Sequence, residues 1–182
     1  MRKTIVVFGS SRTSDERHLS DAERLGRLLA EKGFVVGSGG YSGIMDAVSK
    51  GAYEAGGHVI AYTTDLFSDF PPTTWFHEER KAEDIHCRIR NMLTEGAGFI
   101  AVWGGIGTLA EVAMAWNMAQ ISAMQGMRPK PLVLMGDHWR GLVDSIGRYT
   151  EIGKSVLALP VLVSTPEEAV ETMEQALNAD RS

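Results

Sequence analysis

Apolar positions fall along this chain in two alternating patterns. Short continuous runs rich in β-branched residues, closed by glycine and serine, read as buried strands, and longer stretches with apolar residues three and four apart read as helices. Thr4–Phe8 is the first strand, closed by Gly9-Ser10-Ser11. Ser20-Asp21-Ala22-Glu23 has the form of a capping box and predicts a helix over 20–32, with Leu25, Leu28 and Leu29 inward and Gly33 as its stop. A short strand over 34–37 and a helix over 43–55, ended by Gly56-Gly57, come next. A strand over 58–62 leads into 63–74, where Pro71-Pro72 marks a surface loop or lid.

The alternation continues with a helix over 83–94, a strand over 98–103, and a helix from the glycines at 104–108 to Gln120 or beyond. Leu132–Met135 is a strand, 138–151 a helix and 161–163 a short strand. Thr165-Pro166-Glu167-Glu168 is a second capping box, with proline at the first helical position of the last helix. There is no internal repeat, low-complexity tract or linker. Strands separated by helices of this length build a parallel sheet with helices on both faces. The expected fold is α/β, one Rossmann-like domain over residues 1–182.

Composition narrows the function. No apolar stretch reaches the roughly 18 residues of a membrane helix, and the apolar run at the start suits a strand better than a signal peptide. Cys87 is the single cysteine, which excludes an internal disulfide and a cysteine-based zinc site. The five histidines are scattered without ligand spacing, so no metal is expected. A net charge of −5 argues against a nucleic-acid surface, which needs a basic patch. The expectation is a cytoplasmic protein with a small-molecule partner, no nucleic acid and no membrane.

Glycine is the compositional outlier, with 20 in 182 residues, against about 7% in average usage. Seven of them stand in two clusters, Gly37-Ser38-Gly39-Gly40-Tyr41-Ser42-Gly43 and Gly104-Gly105-Ile106-Gly107-Thr108. Each falls between an expected strand and an expected helix, where open α/β sheets bind ligands. Backbone N–H groups free of side-chain bulk, together with a helix N-terminus, suit a phosphate. Gly39, Gly40, Ser42, Gly43, Gly104, Gly105, Gly107 and Thr108 are therefore the candidate phosphate-binding residues, with Ser42 and Thr108 as hydroxyl donors. Gly153-Lys154-Ser155 lacks the upstream glycine of a P-loop, and there is no GxSxG elbow. Gly105-Ile106-Gly107-Thr108-Leu109-Ala110 matches GxGxxA, but no acidic residue closes a following strand, which weakens a dinucleotide reading.

Two residues stand where they would act on a ligand in this mouth. Glu111 lies in the first turns of the helix after the second cluster. Arg88 shares a helix face with Ile85 and Met92 and points toward the core edge, where its planar fork suits phosphate, whereas Arg90 faces solvent. Tyr41, Trp75 and Trp103 lie near the mouth as aromatic surfaces.

Trp103-Gly104-Gly105-Ile106-Gly107-Thr108-Leu109-Ala110-Glu111 resembles the PGGxGTxxE signature of the LOG family, the cytokinin riboside 5′-monophosphate phosphoribohydrolases also labelled "lysine decarboxylase-like". Asp84-Ile85-His86-Cys87-Arg88 resembles the arginine-bearing helix that precedes that signature, and Gly39-Gly40-Tyr41-Ser42-Gly43-Ile44-Met45 is similar to the family's GGxxGxM loop. The order of elements agrees over essentially the whole chain. Departures are Trp103 for the signature proline, Ile89 for the lysine that follows the arginine, and Ser38 for a third glycine.

The resemblance implies hydrolysis of the N-glycosidic bond of a nucleoside 5′-monophosphate to free base and ribose 5-phosphate, with Glu111 and Arg88 as the essential pair and no cofactor. It places Trp103 and Met92 at a base pocket, which bulky Trp103 would reshape. It also implies a homodimer, for which Met114, Ala115, Met118, Ile121 and Met124 supply an apolar stripe; core packing explains that stripe at least as well. The alternative is a non-catalytic nucleotide or molybdenum-cofactor carrier on the same scaffold. A nicotinamide-dependent oxidoreductase rests on GxGxxA alone.

Overall fold

The computed structural model describes residues 2–67 and 69–179. Its strands are β1 (Thr4–Phe8), β2 (Val35–Ser38), β3 (Val59–Thr64), β4 (Glu78–Ala82), β5 (Gly98–Ala101), β6 (Leu132–Met135) and β7 (Val161–Val163). They pair in one sheet in the order β4-β3-β2-β1-β5-β6-β7, every pair parallel. The connections run outward in one direction from β1 through β4, and in the other from β5 through β7. The direction reverses beside β1, and that reversal opens a crevice at the carboxyl ends of β1 and β5.

The helices are α1 (Glu16–Glu31), α2 (Ile44–Glu54), α3 (Ile85–Glu95), α4 (Ile106–Met124), α5 (His138–Tyr149), the short α6 (Lys154–Leu157) and α7 (Pro166–Asn178). Alternation within the strands sorts them onto two faces. Ile5, Val7 and Val36 point into one core with Leu25 and Leu29 of α1, Val48 of α2 and Met173 of α7. Val6, Phe8 and Phe99 point into the other with Met92 of α3, Val112 and Trp116 of α4 and Trp139 of α5. Central strands covered on both faces must be apolar at every position, which is why they read as continuous runs. A Cβ on Gly26 would stand 2.0 Å from the Val48 carbonyl oxygen, and one on Gly51 would stand 1.9 Å from that of Glu23. Two glycines thus let α1 and α2 pack backbone to backbone.

Several boundaries differ from the sequence reading, each for a physical reason. The first helix starts at Glu16, because Asp15 caps it by accepting from the Arg17 N–H at 3.0 Å; Ser20 lies inside the helix, on its exposed side. β3 runs on through Thr64, and a short 3-10 turn follows at Asp65–Phe67. β4 has no counterpart in the sequence reading. Its residues Glu-Glu-Arg-Lys-Ala carry no apolar run, as befits a charged edge strand, and it is held in part by Thr63 Oγ1 donating to Glu79 Oε1 at 2.5 Å. β5 ends at Ala101, which leaves Val102 and Trp103 in the loop.

Candidate active site

Three loops meet at the crevice and are tied by backbone hydrogen bonds. Ser10, just after β1, donates its N–H to the Trp103 carbonyl at 3.0 Å and accepts from the Ile44 N–H at 2.9 Å. Ser42 Oγ donates to the Ser11 carbonyl at 2.8 Å. The hydroxyl expected to face an anion is therefore used to fasten one loop to its neighbour. Gly40 (φ 76°) and Gly43 (φ 67°) adopt the left-handed backbone that a side chain resists, and a Cβ on Gly43 would stand 2.5 Å from the Ser10 carbonyl oxygen. The Gly40 N–H donates to Ser38 Oγ at 3.2 Å, and its carbonyl accepts from the Thr73 N–H at 2.8 Å. The first glycine cluster is thus largely a frame.

The second cluster is open. Gly105 caps α4 with no side-chain hydrogen bond, which leaves the first-turn N–H groups without a side-chain acceptor. A Cβ on Gly105 or Gly107 would meet nothing, so a ligand can approach the helix start unobstructed. Gly104 differs, because a Cβ there would stand 2.2 Å from Oγ1 of the buried Thr108. The glycine lets Thr108 fold back beneath the loop. Free N–H groups and the positive end of a 19-residue helix make this loop a candidate anion cradle.

Arg88 and Glu111 meet beside this cradle. Asp84 caps α3 by accepting from the Cys87 N–H at 2.7 Å, which sets the helix phase that turns Arg88 inward. The Arg88 guanidinium donates from Nε to the Tyr62 carbonyl at 2.7 Å, from Nη2 to the Gly39 carbonyl at 3.1 Å and from Nη1 to Glu111 Oε1 at 3.4 Å. Its centre lies 5.8 Å from the Tyr41 ring centroid, and Tyr41 is fixed by accepting from the Thr64 N–H at 2.9 Å. Both members of the pair are buried, Arg88 5% and Glu111 8% exposed. Burial drives the Glu111 pKa up to about 7, against the opposing pull of Arg88. Burial likewise lowers the Arg88 pKa, while Glu111 supports its charge. A carboxyl group held near neutrality at a cleft is poised for proton transfer or charge stabilisation.

The sequence did not signal all of the supports. Tyr41 was legible as an aromatic near the mouth, but not as the ring beside Arg88. Thr73, from the proline-marked loop, clips that loop onto the first glycine cluster, donating from Oγ1 to Asp46 Oδ1 at 2.6 Å as well as from its N–H to Gly40. Phe67 of the same loop lies edge-on to Tyr41, with ring centroids 5.6 Å apart.

The two residues expected at a base pocket do not lie together. Met92 is 1% exposed inside the core beneath β1 and β5 and has no surface to offer a ligand. Trp103 is 41% exposed, but it stacks on His18 and packs against His138 of α5, on the β6 side of β5. Arg88 reaches the opposite way, to β2 and β3.

Gly39 has a specific part in this geometry. A Cβ there would stand 2.2 Å from Arg88 Nη2 and 2.3 Å from Met45 Sδ. Both atoms lie at or near the ends of flexible side chains, so Gly39→Ala is expected to fold while displacing the guanidinium. A shift of about 1 Å at such a site costs on the order of 100-fold in rate. Turnover measured beside a thermal melt checks this, and an unchanged rate would show that the Arg88 position is immaterial.

With this geometry established, the chain can be set beside known proteins. The family model described as "Possible lysine decarboxylase" matches residues 45–173. A probable cytokinin riboside 5′-monophosphate phosphoribohydrolase of Oryza sativa subsp. japonica, LOGL6, is 31% identical over 180 residues, 95% of this chain and 70% of that protein. The chain belongs to the LOG family. A second LOG protein, the cytokinin riboside 5′-monophosphate phosphoribohydrolase LOG3 of Arabidopsis thaliana, is 30% identical over 181 residues, 96% of this chain and 82% of its own. The LOG fold also extends to the molybdenum cofactor carrier protein of Chlamydomonas reinhardtii, with a TM-score of 0.75 at 24% identity, covering 97% of this chain and 99% of that one. At that identity the likeness is one of fold. No helix among the described residues is long and apolar enough to cross a membrane.

Proposed function

We propose that the protein hydrolyses the N-glycosidic bond of a nucleoside 5′-monophosphate, releasing the free base and ribose 5-phosphate. The observation that carries this reading is the buried Arg88–Glu111 pair, set beside an anion cradle at the open start of α4. LOG relatives named as phosphoribohydrolases of a nucleoside monophosphate support the same reaction class. The 5′-phosphate takes the N–H groups at Gly105, Ile106 and Gly107, which brings the ribose toward Glu111.

Breaking the bond to the base builds oxocarbenium-like positive charge on the ribose, as in glycoside hydrolysis. The Glu111 carboxylate stabilises that charge and draws a proton from the attacking water, and the departing base takes that proton on at the nitrogen freed from C1′; a preformed anion in a water-poor site does this with little reorganisation. Arg88 holds the carboxylate in place and, through Gly39 and Tyr62, locks it to the ends of β2 and β3. No cofactor takes part in this mechanism. A pairing of two copies through the exposed Met114, Met118, Ile121 and Met124 of α4 belongs to the same proposal; Ala115 of the expected stripe is in the core instead.

A carrier reading has the fold of the molybdenum cofactor carrier in its favour, but it gives no role to a carboxyl group tuned near pH 7. The pH profile separates the two. The active form of Glu111 is the carboxylate, so kcat/KM for release of adenine from AMP is expected to rise tenfold per pH unit below about 7 and to level off above it. A profile that falls through this range would assign Glu111 the role of an acid. Absence of turnover at every pH would favour the carrier.

A further inference from the structure

A phosphate monoester carries about two negative charges at neutral pH, and the guanidinium nearest the start of α4 is already occupied. Arg88 gives Nε to the Tyr62 carbonyl, Nη2 to the Gly39 carbonyl and Nη1 to Glu111. A second cation is needed at the crevice, and the topology leaves one choice. The segments 39–43, 65–77, 83–84, 102–105, 136–137 and 164–165, which follow the carboxyl ends of six of the strands, contain no lysine or arginine. The segment 9–15, which follows β1, contains Arg12.

Backbone contacts hold this residue at the mouth. The Arg12 N–H donates to Ser10 Oγ at 3.0 Å, a tight turn that keeps Arg12 beside Ser10. Ser10 in turn donates its N–H to the Trp103 carbonyl at 3.0 Å, which ties the turn to the loop that opens α4. On the other flank the Ser11 carbonyl accepts from Ser42 Oγ at 2.8 Å. Arg12 thus stands where the loops after β1, β2 and β5 join. It is exposed, and its guanidinium has no hydrogen-bond or ion-pair partner among the described residues. Asp15, the carboxylate of the same segment, is taken by Arg17 at 3.2 Å.

We propose that Arg12 is a phosphate-binding residue of this crevice, closing its planar fork on the outer oxygens of a phosphate ester whose inner oxygens take the N–H groups at the start of α4. The identity of the ester rests on the hydrolase reading; the grip on its phosphate does not. Arginine matches two phosphate oxygens at once, a geometry that a lysine ammonium lacks. Ordering an exposed side chain offsets part of the gain. The contact is the same in the ground state and the transition state, so it lowers KM and leaves kcat alone.

The test is calorimetric titration of the whole protein with ribose 5-phosphate and with ribose, for wild type, Arg12→Ala, Arg12→Lys and Arg27→Ala. Arg27, exposed in the middle of α1, controls for the loss of one positive charge. Arg12→Ala is expected to bind ribose 5-phosphate about 10- to 100-fold more weakly than wild type, with Arg12→Lys between the two and Arg27→Ala unchanged. Ribose is expected to bind all four proteins equally poorly. KM for AMP should rise in Arg12→Ala by a similar factor at constant kcat. The inference is overturned if wild type does not bind ribose 5-phosphate, if Arg12→Ala binds it as tightly as wild type, or if Arg27→Ala weakens it as much. Binding of ribose 5-phosphate requires no bond cleavage, so the two readings fail separately. A loss confined to the Arg12 variants, with no base released from any nucleotide by wild type, would end the hydrolase reading and keep Arg12 in its role. Base release by wild type, with unchanged ribose 5-phosphate binding in Arg12→Ala, would do the reverse.

Discussion

Glu111→Gln is expected to lower kcat for base release by about 10²- to 10⁴-fold, the range that a positioned acid or base contributes. Glutamine keeps the shape of the side chain and an oxygen for Arg88 Nη1, so the α4 start and the anion cradle remain. What it removes is the negative charge beside the developing oxocarbenium and the capacity to take a proton from water. The two losses act on the transition state far more than on the bound nucleotide. AMP affinity should therefore change little, and a fall in kcat without a matching rise in KM is the signature. Stopped-time chromatography of released adenine, beside circular dichroism of the variant, measures both. A variant that turns over at the wild-type rate would remove Glu111 from the chemistry.

The second large effect falls on stability. Arg88→Ala is expected to destabilise the fold by about 3–5 kcal/mol, because removing one partner of a buried ion pair leaves the other uncompensated. In this fold the Gly39 and Tyr62 carbonyls lose their donor as well. For a chain of this size that is a fall in Tm of roughly 10 °C.

The loss should also depend on pH. Glu111 has a folded pKa above its unfolded value, so the folded state holds the extra proton. Its contribution to stability is full below about 4.5 and declines as pH rises toward about 7. Without Arg88 to favour the carboxylate, the folded pKa climbs further and the decline continues above 7. Arg88→Ala should therefore cost more at pH 8 than at pH 5. Urea unfolding at the two pH values tests this, and an equal or smaller loss at pH 8 would contradict the coupling. Lysine is not expected to rescue the variant, since one ammonium cannot reproduce three bonds in a planar fork.

Most of this architecture was legible because the central strands are covered on both faces, and their apolar runs stand out against amphipathic helices. What failed to show was where that logic lapses. β4 carries four charged residues and is identified as a strand only by pairing with β3. Asp15 as a cap competes in the sequence with Ser20, and only the phase of α1 against the core decides between them. At the site, Glu111 and Arg88 were legible from their places beside the glycine motifs. Their mutual contact was not, since it depends on β2 and β3 delivering two backbone carbonyls to one guanidinium. Gly39 illustrates the same limit: its motif suggested ligand contact, whereas the space it leaves is filled by Arg88 and Met45. Trp103 was legible as an aromatic at the mouth, yet which side of β5 its ring takes is set by His18 and His138, remote in sequence.

The reading of this site as a phosphoribohydrolase centre is tested most directly by product analysis. Wild-type protein is incubated at pH 8 with AMP and with isopentenyladenosine monophosphate, and free base and ribose 5-phosphate are quantified together. The predicted result is catalytic release of both products in equal amounts from at least one of the two. Tight binding of the nucleotides, with each recovered intact, would contradict it and leave the fold as that of a carrier.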